Sequence, residues 1–172
     1  MPLFEFEGSA PMVEAGAWLA PTATLVGDVT VRAGASIWYG AVLRADLGPI
    51  VVGAGANIQD NSVLHTDGTL TTVGPGATVG HACVVHACTI GTEALIGNAA
   101  TVQDGAVVGD RAMVAAGAVV LPGGEVPPET LAVGVPAKIR GPLTESAREW
   151  VRGNPAAYQE LARRHSEAVR EL

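Results

Sequence analysis

The sequence is short of the materials from which most globular cores are made. Only 4% of its 172 residues are aromatic, which excludes a core of large interlocking rings. Two cysteines, Cys83 and Cys88, are too few and too close for a disulfide framework, and read as free thiols of a reducing compartment. Basic residues are scarce, 10 against 17 acidic ones, for a net charge of −7. Such a chain repels phosphate backbones and anionic lipid, so neither nucleic acid nor a membrane surface is expected as a partner. No apolar run approaches the roughly 18 residues of a membrane span, and Met1-Pro-Leu-Phe-Glu-Phe-Glu7 is acidic rather than a basic and apolar leader. A cytoplasmic protein of one domain plus an appendage is expected.

What the chain has is repetition. It carries 22 glycines and is 48% apolar. From Val13 an aliphatic residue recurs every six positions: Val13, Leu19, Leu25, Val31, Ile37 and Leu43, then Val52, Ile58 and Leu64, then Val73, Val79 and Val85, then Ile90 onward to Val126. The fourth residue after each is almost always small, Val29 and Leu47 being the exceptions. A period of six suits neither a helix nor a simple alternating strand, but it suits short strands separated by tight turns around one axis. The fold class is therefore an all-β solenoid, a parallel β-helix of hexapeptide repeats. The register breaks in three places, with steps of nine residues at 43–52 and 64–73 and of five at 85–90. Residues 1–12 and the C-terminal tail are candidates to cover the open ends.

After Pro127-Pro128 and Gly134-Val-Pro136 the pattern changes to charged residues at helical intervals. The expected division is a β-helix with its N-terminal cap over 1–142 and an α-helical tail over 143–172. Thr144 or Ser146 can cap a first helix, Gly153-Asn154 interrupts it, and Pro155 opens a second one capped by Asn154.

Three of the four histidines, His65, His81 and His86, lie near the register breaks. The stretches Ile37-Trp-Tyr-Gly-Ala-Val-Leu-Arg-Ala-Asp46, Asn57-Ile-Gln-Asp-Asn-Ser-Val-Leu-His65 and Val79-Gly-His-Ala-Cys-Val-Val-His86 make the chain resemble the γ-class carbonic anhydrase family over nearly its whole length. The resemblance implies a left-handed β-helix with three hexads per coil, hence about six coils, and a homotrimer with metal sites between subunits. With an eighteen-residue coil, the 21-residue separation of His65 and His86 is one coil plus the three-residue insertion, so both stand in one outward column with Arg44. His81 lies across a corner and points elsewhere. A neighbouring prism could present its own His81 to the pair. Cys83 falls at a small corner position and faces inward, which argues against a Cys/His zinc site.

Three neutral imidazoles with an open position are a ligand set by which Zn²⁺ makes hydroxide available at neutral pH; Fe²⁺ or Co²⁺ could use the same ligands. The resemblance implies His65 and His86 as metal ligands from one subunit and His81 from its neighbour. It places Gln59 near the metal-bound water, makes Arg44 and Asp46 a charged pair at the interface with Asp60 in that network, and brings Tyr158 from the tail toward the site. It departs at Leu47, where the best-studied active type carries glutamate, and in His65-Thr-Asp-Gly-Thr-Leu70, which holds no acidic loop. Regenerating hydroxide would then fall to buffer or to Tyr158 or Asp67. The leading expectation is a zinc lyase interconverting CO₂ and bicarbonate. The alternative is a hexapeptide acyltransferase using CoA, since Gly134-Val-Pro-Ala-Lys-Ile-Arg140 also resembles the end of such enzymes, with one histidine as general base and no metal. A metal-binding protein or hydrolase of the same fold is a third reading.

Overall fold

The structure, a computed structural model, describes residues 2–172; Met1, the first residue of the expected cap, lies outside them. Short parallel strands, most of two or three residues, follow the six-residue spacing and stack coil upon coil. They build a left-handed parallel β-helix of about 7 turns. Three interior columns run its length. Leu25, Leu43, Leu64, Val85 and Val102 are in register on the first face. Val31, Val52, Val73, Ile90 and Val108 line the second, and Leu19, Ile37, Ile58, Val79 and Ile96 the third. All are buried, and each contributes about 1.5–3 kcal/mol by leaving water.

Corners are turned by residues in the left-handed backbone region. At the corner between the third and first faces, Asn61, Ala82 and Ala99 have positive φ. Each donates its N–H to the coil before, to the carbonyls of Tyr39, Asp60 and His81 respectively. Tyr39, Asp60, His81 and Asn98 therefore stack along that edge, one per coil. Where two long strands run side by side there is no room for a Cβ: at Gly27, with φ +75°, one would lie 2.2 Å from the Ala45 carbonyl oxygen.

The register breaks have distinct structural outcomes. The strand Val42–Val52 runs through a corner without turning and joins the first and second faces into a 12-stranded sheet, leaving the third as an 8-stranded one. Ile50 then takes the interior place beside Val29, and Leu47, counted as a corner residue from the sequence, is 63% exposed on the outside. At the five-residue step Thr89 faces out and Cys88 turns in, so both cysteines are buried in the prism.

Leu3–Phe4 pairs with Leu25–Val26 and Met12–Val13 with Thr30–Val31, which raises the expected six coils to about seven. The far end is closed by Thr130–Val133 pairing antiparallel with Lys138–Pro142. The tail is one helix, Glu145–Ala168, and not the two expected. Thr144 caps it, its hydroxyl accepting from Ala147 N–H at 3.3 Å, and Glu145 in the first turn suits the helix dipole. Gly153, Asn154 and Pro155 do not break it because the helix lies along the third face with Val151, Pro155 and Ala162 buried against the prism. Packing of that stripe outweighs the low propensity of the three residues. His165 completes the seam, 5.0 Å from the Trp38 ring and 3.0 Å from the Tyr39 hydroxyl.

Candidate functional site

The structure sorts the sequence-predicted residues into two clusters. The first stands on the first face. Arg44, His65 and His86 are direct neighbours across three paired strands, as the register required. Asp46, two residues beyond Arg44, projects on the same side and bonds both the Arg44 guanidinium and His65 Nε2, the latter at 2.9 Å. Burial would raise the Asp46 carboxyl, but the bonds from His65 and Arg44 hold it below the usual carboxylate range. His65 Nδ1 meets His86 Nε2 at 3.0 Å, and His86 Nδ1 bonds Asp104. The result is a relay, Arg44–Asp46–His65–His86–Asp104.

This arrangement corrects the expected zinc centre. Within the chain the ring nitrogens of His65 and His86 bond each other and the carboxylates of Asp46 and Asp104. His81 lies at the neighbouring corner, away from them. Among the described residues no group of three or more His, Cys, Asp or Glu side chains converges on a point where an ion could be held. The donor set does not fit a tris-imidazole zinc site, and no step is routed through one.

The second cluster stands at the corner where Asp60, His81 and Asn98 stack. Asp60 Oδ2 lies 2.8 Å from His81 Nδ1, and Asn98 Oδ1 accepts from the His81 backbone N–H at 3.1 Å. The ring is therefore held from behind, and Nε2 turns outward toward the Tyr158 hydroxyl, 3.5 Å away on the helix. Burial and the nearby Asp60 charge raise the Tyr158 pKa, keeping its hydroxyl protonated. Gln59 is buried and hydrogen-bonded to Asn57, which bonds Thr78, which bonds Asn154 of the helix. Gln59, Thr78, His81, Asn98, Asn154 and Tyr158 line one end of a cleft of about 650 Å³ between the helix and the third face.

Arg44, Asp46, His65 and His86 are thus brought together, as are Gln59, Asp60, His81 and Tyr158, but the two sets do not meet in one chain. Asp67, offered as a proton carrier, is instead bound by the Thr69 hydroxyl and N–H in its own loop. Sequence reasoning missed Asp104 and Asn98. Both follow a histidine by about one coil, 18 and 17 residues, and the five-residue step hid the correspondence. Cys83 and Cys88 belong to neither cluster: burial pushes their thiols up to about 11 and about 12, so neither supplies a thiolate nucleophile near neutral pH.

The fold and these motifs define a class: the chain belongs to the hexapeptide-repeat left-handed β-helix family. Within that family it is 39% identical over 163 residues to the carnitine operon protein CaiE of Citrobacter koseri, covering 94% of this chain and 83% of that one. It is similar in structure to a hexapeptide transferase family protein from Anaplasma phagocytophilum, with TM-score 0.91 and 40% identity over 94% of this chain and 96% of the other. A putative acetyltransferase from Bacillus cereus superposes with TM-score 0.93 and 32% identity, covering 96% of each chain. No protein-family model matches the chain. The solved relatives carry the names of transferases. The expectation of a carbonic anhydrase, with CO₂ and bicarbonate as substrates and zinc as cofactor, is corrected accordingly. Among the described residues no helix is long and apolar enough to cross a membrane.

Proposed function

We propose that the protein is an acyltransferase that moves an acyl group from a CoA thioester to a hydroxyl or amine of a small molecule, with His81 as general base. The observation that carries this reading is the Asp60–His81 pair opening on the cleft. The Asp60 carboxylate 2.8 Å from Nδ1 favours the tautomer with hydrogen on that nitrogen, which leaves the Nε2 lone pair where a substrate can reach it. His81 Nε2 takes the proton of the acceptor as the acceptor attacks the thioester carbonyl. The Tyr158 hydroxyl, kept protonated, donates to the developing oxyanion. Collapse expels the CoA thiolate, which recovers the proton from the imidazolium. The inert thiols favour this direct transfer over an acyl-cysteine intermediate. The names of the two solved relatives point the same way, as does the resemblance of Gly134–Arg140 to the end of CoA-dependent transferases.

The reading extends to a homotrimer, the assembly expected from the sequence. Val63 and Val84 stand outward beside the relay, 38% and 40% exposed, and would supply an apolar surface repeated on each copy.

The test is release of CoA thiol from acetyl-CoA in chelator-treated buffer, with a panel of small amines and alcohols as acceptors. Acceptor-dependent release that is lost in His81→Asn supports the assignment. No release with any acceptor, or an undiminished rate in His81→Asn, overturns it.

A further inference from the structure

The cleft beside His81 changes character along its length. On the prism side the outward column of the third face runs Asn57, Thr78, Leu95, Met113 in register. It is polar at the level of His81 and apolar in the coils beyond. The helix matches this gradient: Tyr158 and Asn154 face the polar end, and Trp150 stands over the apolar one. Trp150 and Tyr158 are eight residues apart, about 12 Å of helical rise. Trp150 is 62% exposed, an unusual place for so large an apolar side chain unless something covers it. No lysine or arginine lines the cleft, and its one carboxylate is Glu149. Phosphates therefore have no partner inside it.

A cleft with a polar reactive end, an apolar far end and no cation fits an occupant with the same gradient. We infer that it seats the hydrocarbon tail of the transferred acyl group, with the thioester at His81 and the chain running along Leu95 and Met113 beneath Trp150. The enzyme thus selects medium-length acyl chains over acetyl. This inference rests on the transferase reading for the identity of the polar end.

Isothermal titration with CoA and with acetyl-, butyryl-, hexanoyl- and octanoyl-CoA, in the absence of acceptor, tests it. Affinity should rise about fourfold per methylene, the ~0.8 kcal/mol of a buried CH₂, so that octanoyl-CoA binds far more tightly than acetyl-CoA. Trp150→Ala, at an exposed position, should flatten the series by lowering octanoyl-CoA affinity the most. Ala116→Phe, which fills the cleft from the prism wall, should weaken octanoyl-CoA alone. A series that is flat in the wild type, or unaltered in both variants, overturns the inference. The two readings fail separately. A flat series with acceptor-dependent thiol release removes only the acyl-tail inference, whereas a steep series without release for any acceptor removes only the transferase reading.

Discussion

The two histidine clusters use the same residue types in opposite ways. In the relay, His65 and His86 bond each other, and carboxylates take their remaining nitrogens. His81 has one carboxylate behind it and its other nitrogen at the mouth of a cleft. The relay's ring nitrogens all have partners on the prism itself, whereas His81 Nε2 meets only the Tyr158 hydroxyl of the helix, 3.5 Å away at the cleft. On the proposed reading, catalytic capacity follows from where an imidazole nitrogen opens, not from the number of histidines gathered in one place.

The sharpest way to break this comparison is to substitute one histidine from each cluster. His81→Asn should lower acceptor-dependent thiol release by about 10²–10⁴, the usual contribution of a general base, while His86→Asn should cost less than tenfold. Equal losses would place the chemistry in the relay. Asp60→Asn comes next. As a positioning residue, Asp60 should cost about tenfold to a hundredfold, confined to kcat, with the KM for acyl-CoA unchanged. A KM effect would mean that Asp60 binds substrate directly.

Asp46 probes the relay through stability. Its folded-state pKa lies below the unfolded value, so it stabilises the fold above the ordinary carboxylate pKa of about 3.9 and loses that contribution as pH falls through the lower folded value. Asp46→Asn should lower the urea midpoint at pH 7, with the gap from wild type closing toward pH 3; a gap independent of pH would assign the loss to geometry. The smallest effect concerns the thiols. Cys83 and Cys88 should resist a thiol reagent in the native protein and react on unfolding in urea, and ready native labelling of Cys88 would contradict its place inside the coil.

Much of the scaffold is legible in the sequence because a solenoid converts spacing directly into position. The six-residue period marks the interior columns, and the 21-residue interval marks the shared column of His65 and His86. The same interval separates Asp60 from His81, so their pairing could have been read in the same way. Other features turn on local packing. Cys88 faces inward because one corner is a residue short, and the helix continues through Gly153–Pro155 because the prism surface supports it. The metal reading failed for a related reason. Residue types and columns show that imidazoles are near one another, but not that three of them converge, and among the described residues they do not.

The strand Val42–Val52 sets the order in which this molecule can come apart. Stacked coils touch only their neighbours, so opening starts at the two ends and moves inward. This strand is paired along both flanks and stitches two faces together at the level of Arg44 and Asp46. It acts as a stop against unzipping from the N-terminal end, and the relay is anchored to it. The protein can fray at that tip many times over before the fraying reaches a residue of either cluster.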